Sequence, residues 1–214
     1  MKLLLHVCCA PCSVECIAAL MEENINATLF WYNPNIHPYT EYSRRRDTLK
    51  GYAKKQEMPL IINDEYGLRQ FLEALCTKNS SSARLSSYNF DSPDRCAVCY
   101  KLRMEKTAFI ARENGFDTFS TTLFISPYQN HELLKEEAAA AEQFGPALLY
   151  RDFRPRFRKG RAEARQQGLY MQQYCGCIFS EEERYGKGSS TNSRQSPLSG
   201  GLPFYPPENY GIPT

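Results

Sequence analysis

An α/β fold is predicted for this chain: a Rossmann-like parallel sheet of about five strands with helices on both faces. Three observations predict it. Short apolar runs alternate with charged, helically patterned segments of about 10 to 18 residues. Asn, Pro and Gly punctuate the joins. At 214 residues, 42% hydrophobic and 23% charged, the chain is long enough for one sizeable core and short for two. Residues 1–185 are therefore expected to form a single α/β unit with its working site at the carboxyl edge of the strands, and residues 186–214 a tail.

Leu3 to Val7 is an apolar run that ends in a cysteine-bearing loop, and Ser13 to Glu23 carries helical spacing with Ser13 placed to cap it. Ala27 to Tyr32 reads as a buried strand stopped by Asn33-Pro34-Asn35. Tyr39 to Gln56 is a charged helix, Pro59 to Ile62 a third strand, and Glu65 to Cys76 a further helix. The serine-rich stretch Thr77 to Asp91 reads as a loop. Asp94 to Asn114 is a helix closed by Gly115, followed by a fourth strand over Phe116 to Leu123. His131 to Phe144 is an alanine-rich helix and Ala147 to Tyr150 a fifth strand. If strands one and four are neighbours, the cysteines after strand one meet the segment around Ser126 after strand four.

From Gly186 onward, 15 of 29 residues are Gly, Pro or Ser and three are charged, a composition unsuited to a core. The run after Met1-Lys2 is too short for a secretory signal, so a cytoplasmic setting is expected, and no stretch is apolar enough to span a membrane. In a reducing compartment, nine cysteines point to metal binding or catalysis rather than to disulfide staples. The net charge of +2 does not announce a nucleic-acid partner, but Arg151 to Arg165 concentrates seven basic residues against two acidic ones. With Phe153 and Phe157 interleaved, that segment either follows a phosphate backbone or is a solvated helix.

Two clusters, His6-Val7-Cys8-Cys9-Ala10-Pro11-Cys12 and Asp94-Arg95-Cys96-Ala97-Val98-Cys99-Tyr100, can supply four or five thiolates to one metal centre. Cys96 and Cys99 share a helix face in a first turn, where the helix dipole favours thiolates. Four soft thiolates suit an iron–sulfur cluster or structural zinc. The adjacency of Cys8 and Cys9 fits zinc knuckles poorly and favours the cluster. Cys175-Gly176-Cys177 can close a tight redox disulfide, the glycine permitting the unusual dihedrals, or provide spare metal ligands. Cys16 and Cys76 read as small buried hydrophobes, His6 as a satisfied core histidine, and Trp31 as core.

Together HVCCAPC, Tyr32 to Arg46 (YNPNIHPYTEYSRRR), Asp94 to Met104, Thr121 to His131 (TTLFISPYQNH) and Tyr174 to Ser180 (YCGCIFS) resemble, in order over about residues 3 to 180, the cobalamin-independent epoxyqueuosine reductase family, QueH. The resemblance implies a Rossmann-like sheet of the HUP type. It also implies an oxidoreductase that reduces epoxyqueuosine to queuosine at the wobble position of a tRNA anticodon. Cys8, Cys9, Cys96 and Cys99 would hold a [4Fe-4S] cluster, Cys175 and Cys177 would form the redox pair, and Cys12 is the spare ligand for a further iron. The partition of five cysteines between cluster and extra iron stays open. A low-potential electron donor is required, and Tyr128 or His131 would donate protons.

Two other readings compete. A non-enzymatic RNA-binding protein with a structural four-cysteine metal site would have no use for the separate Cys175/Cys177 dithiol. An ATP-using tRNA-modifying enzyme needs a Gly-rich phosphate loop after strand one, where this chain has Cys-Cys-Ala-Pro-Cys.

Overall fold

The computed structural model describes residues 1–78 and 92–186. In it, strands β1 (Lys2–His6), β2 (Asn26–Trp31), β3 (Leu60–Ile62), β4 (Thr118–Thr121) and β5 (Ala147–Leu148) form an all-parallel sheet in the order β3-β2-β1-β4-β5. β1 is central, with Leu3 opposite Ala27 on one side and Thr118 on the other. Its leucines are apolar without alternation because both faces of the strand are covered: Leu3, Leu4 and Leu5 are fully buried. Each contributes roughly 1.5–3 kcal/mol of burial.

Helices α1 (Ala10–Glu22) and α2 (Tyr39–Lys55) carry the chain from β1 out to β3. α3 (Leu68–Lys78) and α4 (Asp94–Glu113) bring it back to β4, and α5 (His131–Ala140) continues to β5. Right-handed crossovers in opposite directions put these two groups on opposite faces. The packing agrees: α1 lies against α2 and against α6 (Phe157–Gln166), while α4 lies against α3 and α5. Gly160 lets α6 come close, since a Cβ there would stand 3.2 Å from the Cβ of Glu15. Trp31, Phe30, Phe119 and Tyr100 fill the core, Trp31 donating its indole N–H to the Tyr42 hydroxyl at 3.2 Å.

Several boundaries differ from the expectation. α1 starts at Ala10, not Ser13, because Cys9 takes the capping position in extended conformation and Pro11 suits the first turn. Ser13 instead donates its hydroxyl to the Ala10 carbonyl at 2.7 Å. β4 stops at Thr121, whose hydroxyl accepts from the Leu123 amide and opens a 3₁₀ turn over Thr122–Ile125. The helix expected over His131 to Phe144 tightens to 3₁₀ from Ala141. α4 ends as expected, with Gly115 at φ +65 and bonds from Gly115 N to Arg112 O and from Phe116 N to Ala111 O. An eight-residue helix, α7 (Ile178–Tyr185), was not foreseen. Thr77 and Lys78 still belong to α3; the rest of the serine-rich loop, residues 79–91, and the tail from residue 187 lie outside the described residues. Among the described residues no helix is long and apolar enough to cross a membrane.

Candidate metal centre

β1 and β4 are neighbours, so the turn after β1 opens at the switch point of the sheet, where the chain departs to opposite sides. Cys8 leaves the strand, Cys9 caps α1, and Cys12 sits in the first turn of that helix. Starting the helix three residues earlier than expected is what turns Cys12 back toward the other two. Among the described residues, these three sulfurs form a group whose members all lie within 4.8 Å of one another, a set able to hold a metal ion. Cys8 and Cys9 are buried and Cys12 is partly so. Thiol hydrogen bonds from Cys12 and Cys9 hold Cys8 well below the ordinary thiol range, while Cys9 is pushed up by burial and Cys12 by its bond to Cys8. Of the three, Cys8 is the sulfur most readily ionised, at the positive end of a helix. The Cys8 sulfur also lies 3.7 Å from the Thr122 hydroxyl.

His6 is not available to this centre. Its Nε2 donates to the Tyr32 carbonyl at 3.1 Å, leaving Nδ1 to accept from the Thr121 hydroxyl at 2.9 Å. Burial, reinforced by Arg103, lowers its pKa to about 3, so the ring is neutral. It is the satisfied core histidine expected. Cys16 is buried in the core one turn beyond Cys12.

α4 brings the second cysteine pair. Cys99 is buried, and Arg103, one turn on, donates from its guanidinium to the Cys99 sulfur at 2.9 Å and to the Cys99 carbonyl at 3.0 Å. Burial pushes the Cys99 thiol up and Arg103 pulls it down. The Arg103 cation is itself fully buried and within electrostatic reach of Cys99, Cys175 and Cys8, which ties the CxxC helix to the strand-end trio and to the third pair. Cys96 is partly exposed, 3.5 Å from the Ser92 hydroxyl, and lies outside the close group of three.

The third pair lies on a strap between α6 and α7. Arg45, buried on α2, donates to the carbonyls of Cys175 and Tyr174, both at 2.9 Å, and is held by Glu41 at 2.6 Å. The His37 amide donates to Gly176 O at 2.8 Å and the Tyr174 hydroxyl to His37 O at 2.5 Å. Gly176 needs its freedom: φ is +139, and a Cβ would stand 3.1 Å from Ile36 and 3.2 Å from the Arg45 guanidinium. Cys177 is buried against Cys99, Phe71 and Leu75, and its sulfur accepts from the Ser180 amide as the cap of α7. Cys175 is exposed, and the Gln129 amide reaches its sulfur at 3.5 Å. Both cysteines are free thiols.

The same strap covers the trio. Gln172 donates through Nε2 to Cys9 at 2.9 Å and lies 3.6 Å from Cys12, and its Oε1 is buried without a partner. Beside the strap a cleft of about 460 Å³ is lined by Cys96, Tyr100, Tyr128, Gln129 and Cys175 among others. A larger cavity of about 690 Å³ at the opposite, amino edge of the sheet holds none of the cysteines. Tyr128 is 61% exposed at the cleft. His131 is buried, bonded through Nε2 to Phe124 O, and lowered in pKa by burial, so it does not share that position.

The basic segment is less open than its composition suggests. Four of its seven cations pair with carboxylates: Arg151 with Glu23, Arg154 with Asp152, Arg156 with Glu15 and Glu22, and Lys159 with Glu15 and Glu163. Three of those acids lie on or at the end of α1, against which α6 packs, and Phe153 is buried. The segment is a packed helix with a charged seam, leaving Arg158 and Arg165 exposed.

Gln172, Arg103 and Arg45 were not found from the sequence. Glu181 in the first turn after Cys177 was the available signal for α7.

Comparison with known proteins bears on this geometry. The family model described as epoxyqueuosine reductase QueH matches residues 3–183. The epoxyqueuosine reductase QueH of Dehalococcoides mccartyi is 36% identical over 190 residues, covering 88% of this chain and 97% of that protein. Those of Acinetobacter baylyi and Thermotoga maritima are 35% and 30% identical, covering 84% and 90% of this chain and 80% and 96% of their own lengths.

Proposed function

The chain belongs to the epoxyqueuosine reductase QueH family, and on that premise we propose that it reduces the epoxide of epoxyqueuosine, at the wobble position of a tRNA anticodon, to the alkene of queuosine. Removing the epoxide oxygen as water takes two electrons and two protons. Oxidation of a dithiol to a disulfide releases that complement: the Cys175 and Cys177 S–H bonds break, an S–S bond forms, and an external low-potential donor later restores the thiols.

The observation that carries the reading is the meeting of the Cys8/Cys9/Cys12 trio with the strap that holds Cys175 and Cys177, through Gln172 on Cys9 and Arg45 on Cys175 O. The soft sulfur donors suit an iron–sulfur group. We assign Cys8, Cys9, Cys96 and Cys99 to a [4Fe-4S] cluster and Cys12 to a further iron. When bound, such a group supplies electrons singly and a Lewis acid for the epoxide oxygen. The chain's own residues do the rest. Arg45 and Gly176 fix the position of the dithiol, Gln172 screens the sulfurs, Tyr128 offers a hydroxyl proton at the cleft, and Arg103 balances the negative charge of the thiolates. A base in an anticodon loop can splay out to reach this edge at less cost than one in a duplex.

The test is anaerobic purification with iron, sulfide and zinc analysis, followed by incubation with epoxyqueuosine-containing tRNA and a reductant. Brown protein that converts the nucleoside is expected. Colourless protein with one zinc and no conversion would overturn the reading.

A further inference from the structure

Four of the seven cations between Arg151 and Arg165 are paired with carboxylates, three of them with acids on or at the end of α1, and a second surface flanks the redox strap. Its contacts form a continuous chain. The Arg44 guanidinium lies over the Tyr170 ring, 4.9 Å from its centre. The Tyr170 hydroxyl donates to Glu41 at 2.5 Å, and Glu41 holds Arg45. Arg45 in turn lies 5.6 Å from the centre of the Tyr174 ring, and Tyr174 meets Tyr185 edge to face at 6.3 Å. Cys175 is the next residue after Tyr174, so the strip borders the exposed thiol.

The division of labour along it is chemical. Arg45 is buried and fully engaged, so it builds the strip and is not free to bind. Arg44 and Arg184 are exposed and have no carboxylate partner among the described residues. Tyr185 is 60% exposed, an aromatic face left in water at the end of a short helix. Cations at the rim with aromatic faces between them are the arrangement that holds single-stranded RNA, the cations on phosphates and the rings under unpaired bases.

We infer that the strip Arg44–Tyr170–Tyr174–Tyr185, with Arg184 beside it, is the docking surface for the single-stranded anticodon loop, and that α6 is not. This rests on the proposed action on tRNA and adds where the loop lies. Contact here sets the loop against the strap, within one residue of Cys175.

The probe is a synthetic anticodon stem–loop hairpin, its dissociation constant measured across a salt series against the metal-loaded protein. The Arg44→Ala, Arg184→Ala double variant should bind more weakly and lose about 0.7 in log–log salt slope for each cation removed. Tyr185→Ala should weaken binding about 5- to 100-fold with its slope unchanged, the signature of lost stacking. Iron content and melting temperature, measured on each variant, should match the parent. The Arg158→Ala, Arg165→Ala double variant should bind as the parent does. Parental affinity and slope in the Arg44/Arg184 and Tyr185 variants overturn the inference, as does loss of slope confined to the Arg158/Arg165 variant. If the parent still converts the nucleoside in tRNA, the proposed reaction survives that result; metal-loaded parent protein that neither converts tRNA nor binds the hairpin rejects both.

Discussion

The side-chain amide of Gln172 reaches the sulfur of Cys9 at 2.9 Å, closing the strap over a thiol placed 163 residues earlier in the chain. The contact gives the trio an N–H donor from outside its own loop and leaves Oε1 buried and unpartnered. Gln172→Ala should lower metal affinity by about 10- to 100-fold, the usual cost of losing a partner that orients a ligand. Chelator competition on the anaerobic protein measures it. Unchanged affinity would make the amide a passive lid.

Cys175→Ser and Cys177→Ser should retain iron and sulfide but lose most epoxide reduction. Serine at 177 keeps the cap that Cys177 provides to the Ser180 amide, so the fold should survive. Cys177→Ala, which removes the cap, should in addition cost about 1 kcal/mol of stability. Loss of bound iron in either serine variant would make that cysteine a ligand.

Gly176→Ala places a methyl group at φ +139, against Ile36 and Arg45. The strain is about 1–3 kcal/mol, which at about 2–4 °C per kcal/mol lowers the melting temperature by several degrees. Turnover should fall further than stability, because the same residue positions the dithiol. Thermal melting beside single-turnover reduction separates the two effects.

His37 gives the fold a pH dependence. Its ring is buried between Tyr66 and Phe71, and burial lowers its pKa to about 4 although Nε2 donates to Pro34 O. The unfolded chain takes up a proton near pH 6.5 that the folded chain refuses until about 4. Stability is therefore intact above about 6.5 and lost progressively as pH falls toward 4. His6 and His131 shift in the same direction, so His37→Gln should flatten, not abolish, the decline in urea midpoint between pH 7 and pH 4.5. An identical slope in the variant would refute the assignment.

Much of the fold was legible because its signals are local. Leu3-Leu4-Leu5 announces a strand buried on both faces, Gly115 a helix end, and the alternation of strands and helices a parallel sheet whose order brings β1 beside β4. Cysteine spacing likewise picked out Cys8, Cys9 and Cys12, which the fold gathers into one group. The rest is written in contacts that have no period. Arg103 on Cys99 was one turn away yet looked like any helix arginine, since nothing in its neighbours shows that it is buried. Arg45 on Cys175 O and Gln172 on Cys9 join segments more than 100 residues apart. The charge of Arg151 to Arg165 was only partly legible for the converse reason: three of its counterions, Glu15, Glu22 and Glu23, lie on or at the end of another helix and cannot be subtracted before the helices are packed.

The strap also imposes an order of events during synthesis. All five strands are complete by Leu148, and Cys8, Cys9, Cys12, Cys96 and Cys99 precede that point, whereas Gln172 and the Tyr174–Cys177 segment are made only afterwards. A chain ending before Tyr170 would therefore carry every strand of the sheet and lack the cover over the cysteine trio. The segment that seals the trio is thus also the one that brings Cys175 and Cys177, and it follows every strand and every other cysteine of the site in the chain.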